Sequence, residues 1–582
     1  VLSLALVPLV ALAACSPPPP SPPGIDVADA PVRLVDFAKG RRDLAVTLVV
    51  DTRPALDPAV ATQTFRFGSA PRASVLALGV GIEPTGAPAA WRAEVVLERD
   101  GAEPTTLLDL DVDAGTTRWH DRRIALEPDV LAGATLTLRA TARGEQAKGM
   151  RRLVWGDPML LPQPAARKPS VILVSLDTLR ADHVGPRADG RPSLTPQLDA
   201  FAAASTVFTQ AYAPSTWTLP SHVALLWGRH PTILDRARAD LKKPLTEAVG
   251  VVAPLAETFR DAGWVTAAFT GGGWMSPNVG LRPQHGFGRG FDRFVAYPVP
   301  TTAHPGECVP ARFDGTVVFG WATAWLREHA DDPFFLLIHT YEPHDRCPFI
   351  TPGTLDFDAL ATQPERLAEL RRYYEELVGR TDALVGTLRA ALAETGLDQR
   401  TIVAVTSDHG EAYFEHGAAS HGCRVPPWDE LARVPLVVHR PGASPGRVDA
   451  PVALVQVAPT LRALAGIDGG PPADGPPLPD LGIASGAAPE LVHSGCGDLL
   501  AVRAGRHKLL TSRAGTVPEQ LFDIDADPGE RRDLAAERPD VTATLRAAAS
   551  AYWAAGGAPA SGTVPGVDPQ LREQLRALGY AQ

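Results

Sequence analysis

The run "SVILVSLDT", residues 170–178, opens with seven apolar or small residues in a row, closed by the carboxylate of Asp177. An amphipathic surface strand alternates in polarity, whereas this one offers apolar side chains to both faces. That is the pattern of a strand covered by helices on two sides. Three further runs share the texture: "WVTAAFTGG" (264–272), "PFFLLIHTYEPH" (333–344) and "TIVAVTSDHGE" (401–411). Helical patterns stand between and behind them, among them "SLTPQLDAFAAAS" (193–205), "APLAETFRDAG" (253–263) and "RLAELRRYYEELVGRTDALVGTLRAALAETG" (366–396). Alternation of this kind predicts a doubly wound α/β domain. In such a sheet ligands bind outside the carboxyl ends of the strands, so the polar residues that close the four runs are expected on one rim.

The rest of the chain is organised around that domain. At 582 residues it exceeds one ordinary hydrophobic core. Residues 1–24 read as a signal peptide ending in Leu12-Ala13-Ala14-Cys15, a lipobox-like sequence that would lipidate Cys15, followed by a proline-rich tether. The expectation is an exported bacterial lipoprotein, periplasmic or on the cell surface, that meets the membrane only through its anchor. Short alternating segments such as "SVLALGVGI" (74–82), "WRAEVVLERDG" (91–101) and "ATLTLRATAR" (134–143) predict an all-β sandwich over residues 25–163 with no catalytic constellation. The α/β domain is expected over 169–470. A C-terminal subdomain, 471–582, carries a small antiparallel sheet and a helix around "AVRAGRHKLLTS" (501–512).

A formal charge of −11 argues against nucleic acid as a partner. Export permits pairing of Cys308, Cys347, Cys423 and Cys496, in any of three connectivities.

The chemistry gathers at the strand ends. Asp177 and Asp408 close apolar runs where a carboxylate has no place without a partner, and His409 follows directly. Oxygen and nitrogen donors without sulfur suit a divalent cation. Thr218, in "APSTWTLPSHVALLWGRHP" (213–231), opens a helix pattern with Pro220 in its first turn. There it serves either as a cap or as a hydroxyl presented, beside an ion, to an anionic ester.

Residues 170–582 resemble the sulfatase-like branch of the alkaline phosphatase superfamily. The motifs "VILVSLDTLRADHVG", "TPQLDAFAAASTVFTQAYAPSTWTLPSHVALLWGRHP", "HGFGRGFDRF", "PFFLLIHTYEPHD", "VTSDHGEAYFEHG", "LARVPLVVHRPG" and "LFDIDADPGERRDL" recur in the family's order. The resemblance implies a mixed sheet of alkaline phosphatase type and a metal-dependent hydrolase of sulfate, phosphate or phosphonate esters working through a covalent intermediate. It assigns Asp177, Asp408, His409 and Thr218 to the metal and Thr218 to nucleophilic attack. His421 becomes the general acid, and His344 and His421 contact the transferring group. One ion is expected, zinc or manganese rather than calcium.

Departures from the family pattern matter too. Sulfatases carry C-x-P-x-R or S-x-P-x-R, whose first residue becomes formylglycine, whereas this chain has Thr218-Leu219-Pro220-Ser221-His222. Threonine oxidation gives a ketone and not that aldehyde, and the arginine is missing. His222 is the residue available to replace it as an anion contact. The usual aspartate pair is Asp177-Thr178, and the lysine and histidine of "GKWHLG" are Gly273 and Met275. His339 and His416 read as structural. The expected partner is a small-molecule, glycan or lipid ester. Two other readings are a non-catalytic protein that binds anionic glycans and a phosphoethanolamine-type transferase.

Overall fold

The computed structural model describes residues 60–556 and three two-residue strands before them, except 70–73, 83–86, 116–119, 144–152, 163–167, 188, 232–251, 272–280, 284–285, 298–313 and 345–359. Cys15, Gly273, Met275, Cys308 and Cys347 lie outside the described residues. The chain divides into two compact units, 1–163 and 164–582. Among the described residues no helix is long and apolar enough to cross a membrane.

The first unit holds two sheets. Strands Val60–Ser69 (β1), Ala90–Glu98 (β3), Thr105–Val112 (β4) and Thr135–Arg143 (β6) form one, in the order β1-β6-β3-β4. Ser74–Ile82 (β2), His120–Leu126 (β5) and Leu153–Pro162 (β7) form the other, in the order β7-β2-β5. Alternate residues of both face one core, with Leu76, Leu78 and Val80 of β2 joining Trp91, Val95 and Trp155. The alternation in sequence is thus the alternation of the pleat.

The second unit is built on a nine-stranded mixed sheet. Its strands include Ser170–Leu176 (β8), Thr206–Tyr212 (β9), Val265–Thr270 (β10), Arg293–Ala296 (β11), Phe334–Thr340 (β12), Thr401–Thr406 (β13), Arg433–His439 (β14) and Gly446–Val448 (β15), in the order β11-β10-β12-β8-β13-β14-β9-β15. β14 runs antiparallel to β13 and β9, while β11, β10, β12, β8 and β13 are parallel. Every residue of β8, β10, β12 and β13 is buried, as continuous apolar runs require.

The two faces have separate cores. Val171, Leu173, Phe335 and Leu337 pack on one side with helices Thr218–Trp227 (α1), Leu255–Asp261 (α2) and Val457–Leu464 (α5). Ile172, Val174, Leu336 and Ile338 pack on the other with Gly315–Glu328 (α3) and Pro364–Thr395 (α4). Truncation of a residue such as Leu173, which is fully buried, costs about 3 kcal/mol. α4 starts with Pro364 in its first turn and stops where Gly396 takes a left-handed φ of 66°.

A four-stranded antiparallel meander, Val492–Cys496 (β16), Leu499–Ala504 (β17), His507–Ser512 (β18) and Gln520–Asp523 (β19), precedes helix Pro539–Gly556 (α6). This small sheet belongs to the same compact unit as the large one. A disulfide, Cys423–Cys496, ties β16 to the loop after β13, selecting one pairing among those the cysteine count allows.

Candidate active site

β12, β8 and β13 are neighbours in the sheet, and the residues after their carboxyl ends converge. Asp177 follows β8, His344 follows β12, and Asp408 and His409 follow β13. Asp177, Asp408 and His409 are fully buried, and each offers a donor atom within 4.8 Å of the others.

Each carboxylate uses its two oxygens differently. Asp408 Oδ1 accepts the backbone N–H of His409 at 2.9 Å and of Thr178 at 3.3 Å, while Oδ2 has no hydrogen-bond partner. Asp177 Oδ2 accepts the Thr218 hydroxyl at 3.2 Å and lies 3.3 Å from His339 Nε2, while Oδ1 has none. A buried carboxylate oxygen without a donor is costly unless a cation compensates it. His409 Nδ1 lies 2.9 Å from the Gly410 carbonyl, which places the Nδ1 proton there and turns Nε2 to the site. Two orphaned oxygens, one imidazole nitrogen and the Thr218 hydroxyl fit a divalent ion.

The backbone around these residues is forced into place. Thr178, a β-branched residue, has a left-handed φ of 57°, held by Tyr374, whose hydroxyl donates to the Thr178 carbonyl at 2.8 Å. That conformation aims the Thr178 N–H at Asp408. The turn after β13 is clamped by hydroxyls: Ser221 Oγ donates to the Asp408 carbonyl at 2.6 Å and Ser407 Oγ to the His409 carbonyl at 2.7 Å. At Gly410 a side chain would put Cβ 2.0 Å from the Glu430 carbonyl oxygen, so only glycine lets the two segments meet.

Thr218 is the first residue of α1, whose N-cap is Trp217, and no side chain caps this helix end. The hydroxyl instead lies 3.2 Å from Asp177 Oδ2 and 3.3 Å from His409 Nε2. Of the rival hydroxyls, Ser221 is spent on Asp408 and Ser215 is buried without a partner.

Electrostatics divide the cluster. Burial, then the nearby Asp408 charge, push the Asp177 carboxyl well above the usual range. Burial would raise Asp408 as well, but the rings of His409, His222 and His339 hold it below its ordinary value. Burial alone would lower His409, and the two aspartates outweigh it and raise it.

His421 and His344 stand side by side, ring centroids 4.8 Å apart, and the His421 ring is 4.5 Å from that of His409. His421 Nδ1 lies 3.0 Å from Glu411 Oε2, which fixes the ring. The structure places His222 differently from an anion contact. Its Nδ1 is 2.8 Å from the Thr218 carbonyl and its Nε2 2.9 Å from Ser175 Oγ, with the ring fully buried. Burial pushes it down to about 4, so it is neutral and both nitrogens are engaged behind Thr218. One turn into α1, the His222 side chain faces the sheet and meets Ser175 of β8.

His339, expected to be structural, touches Asp177, and Glu411, which the sequence did not single out, orients His421. A histidine inside the apolar run "FFLLIHT" was the signal available for the first. His416 belongs to another cluster with Glu430 and Glu530, whose donor atoms also lie within 4.8 Å of one another. That cluster already holds its own cation, Lys508, with Nζ 2.8 Å from Glu530 Oε1 and 2.7 Å from Asp429 Oδ1. His416 stacks on Trp428 with Nδ1 2.7 Å from Glu430 Oε1.

The carboxyl-end rim of a mixed α/β sheet thus gathers two carboxylates, an imidazole and a helix-borne hydroxyl. The sulfatase family pattern matches residues 169–467, and the chain belongs to that family. It is 26% identical over 412 residues to the ulvan-active sulfatase of Formosa agariphila, covering 64% of this chain and 78% of that protein. It is 29% identical over 252 residues to mouse arylsulfatase K, covering 40% of this chain and 44% of that relative, less than half its length. The solved structure of a 2-O GAG sulfatase superposes with a TM-score of 0.54 at 21% identity over 67% of this chain and 93% of that one, a likeness of fold.

Proposed function

We propose that this chain hydrolyses sulfate, phosphate or phosphonate esters with Thr218 as nucleophile, through a covalent threonyl intermediate. The observation that carries the reading is the Thr218 hydroxyl. It sits at a helix start without capping it, 3.2 Å from Asp177 Oδ2 and 3.3 Å from His409 Nε2. Asp177, Asp408, His409 and Thr218 would hold one divalent ion, zinc or manganese. Such an ion, when bound, supplies the positive charge that makes an alcohol nucleophilic near neutrality.

With its proton released to solvent, Thr218 Oγ attacks the sulfur or phosphorus centre, the bond to the bridging ester oxygen breaks, and His421 gives that oxygen its proton. Glu411 holds the His421 ring for this transfer, and His344 beside it contacts the transferring group. Water then cleaves the threonyl ester and regenerates the hydroxyl. His222 shapes the floor beneath Thr218 and does not meet the anion. Because threonine cannot form the aldehyde of the formylglycine enzymes, phosphorus esters are expected to be the better substrates. The name of the ulvan-active sulfatase supports a glycan ester as one substrate class. Export and lipidation at Cys15 would place the activity outside the cytoplasm.

The test is hydrolysis of an aryl sulfate and a phosphodiester, side by side, by wild type and Thr218→Ala at fixed zinc or manganese. Loss of turnover in the alanine form with the phosphodiester favoured supports the reading. Full activity in that form removes Thr218 from the mechanism. Sub-stoichiometric metal and no turnover of either ester by the wild type would favour a glycan-binding protein.

A further inference from the structure

We propose that His339 is a positioning residue of the metal centre: it holds one oxygen of Asp177 so that the other is left for the cation. The inference rests on the metal-site reading above and extends it to a residue outside the Asp177, Asp408, His409 and Thr218 set.

His339 is the sixth residue of β12, opposite Ser175 of β8 in the parallel register, two residues before Asp177. Its side chain therefore shares a face with Ser175 and Asp177. The ring is fully buried. It packs edge-on against His222, centroids 5.1 Å apart, and against Tyr341 at 4.6 Å. These contacts leave it little rotational freedom. Nε2 lies 3.3 Å from Asp177 Oδ2, and Nδ1 has no hydrogen-bond partner. A neutral imidazole has one N–H, and the only acceptor in reach among the hydrogen bonds of this ring is that oxygen, so the proton belongs on Nε2.

The two carboxylates are thus held by different means. Asp408 Oδ1 is fixed by two backbone N–H groups, which no substitution but proline removes. Asp177 Oδ2 is fixed by two side chains, Thr218 and His339. Thr218 is the proposed nucleophile, and its hydroxyl proton leaves during the reaction. His339 is then the remaining donor that keeps Asp177 Oδ2 occupied and Oδ1 directed to the ion. A partner of this kind typically changes metal affinity about 10- to 100-fold when removed.

The experiment is titration of metal-stripped protein with zinc chloride and with manganese chloride by calorimetry, for wild type, His339→Leu and His339→Gln, with a melting curve of each metal-free form. Leucine removes the donor at similar volume, and the glutamine amide can restore an N–H near the Nε2 position. Expected are a 10- to 100-fold weaker Kd in His339→Leu and recovery to within several-fold of wild type in His339→Gln. The melting curves establish that each metal-free form is folded before it is titrated. Equal affinity in wild type and His339→Leu overturns the proposal, as does a glutamine form as weak as the leucine form. If His339→Leu does not fold, a glutamine form that folds but binds 10-fold or more weakly overturns it, and one that keeps affinity supports it. Failure of the wild type to bind either metal overturns the metal-site reading itself, and this inference with it.

Discussion

Cutting the Cys423–Cys496 bridge separates two quantities that a site loop usually confounds, stability and rate. The bridge closes a loop of 73 residues. In the chain-entropy model such a loop stabilises the native state by roughly 4 kcal/mol at 25 °C. Spread over the unit of residues 164–582, with an unfolding entropy of roughly 2 cal/mol/K per residue, this is a fall of about 5 °C in the melting midpoint. The rate should respond less. The neighbouring Gly422 donates its N–H to the Thr216 carbonyl at 2.8 Å and accepts from Thr216 Oγ1 at 3.1 Å, and His421 is held by Glu411 at 3.0 Å. None of these contacts needs either cysteine, so the loss of turnover at 25 °C should stay below about tenfold, the equivalent of 1.4 kcal/mol. The assay is scanning calorimetry and initial rates of the Cys423→Ala/Cys496→Ala double variant. An unchanged midpoint would refute the loop-closure argument. A rate loss beyond a hundredfold at a drop of only a few degrees would show that the bridge itself positions His421.

Thr218→Ala should lower ester turnover by roughly 10⁴-fold or more while Thr218→Ser retains activity, because the reacting group is a hydroxyl and not its methyl neighbour; steady-state kinetics decide. Zinc at a hundredfold excess over its Kd should stabilise the unit of residues 164–582 by about 2.7 kcal/mol relative to chelator-treated protein, measured by thermal melting. His493, stacked on Tyr552 at 4.5 Å, is pushed down to about 4 by burial and by the His230 charge. Its folded-state value lies below the unfolded one, so its contribution is complete above pH 6.5 and is lost as pH falls toward 4. The loss is on the order of 3 kcal/mol, and His493→Phe should flatten stability across that window in denaturant titrations.

The large sheet could be read from sequence because its central strands are buried on both faces. That condition writes a signal into every residue of "SVILVSL" and "TIVAVT". Asp177 and Asp408 stood out for the same reason, as charges ending runs that tolerate none. His339 and Ser175 were illegible by that logic. Within a buried strand a polar residue satisfied by a neighbour and one serving a site look alike, and only the β8–β12 register shows that His339 meets Asp177. Glu411 was hidden because its partner His421 lies across a loop whose shape depends on Gly410 and the left-handed Ser420, φ 76°. The cysteine pairing needed the small sheet to dock, which no local pattern encodes. His222 was placed by analogy with an arginine, and the shorter side chain, one turn into α1, stays with Ser175 instead.

The cluster is a poor design for stability taken alone, and that is itself informative. Two carboxylates lie fully buried with donor atoms within 4.8 Å of each other, each with one oxygen that accepts no hydrogen bond, the one on Asp408 lying 3.5 Å from His222 Nδ1 and from His409 Nε2. Removing the charge from one would be the ordinary remedy, and burial already drives Asp177 toward its neutral form. The surroundings act differently at Asp408, where the His409 ring and two backbone N–H groups favour the charged state. Thr178 is held in a strained conformation to supply one of those N–H groups. Strain that serves only to keep a buried carboxylate ionised has no return in folding. It has one if a cation completes the site, because the same orphaned oxygens then become ligands and the hydroxyl of Thr218, spent on Asp177 and not on its own helix, is already beside them.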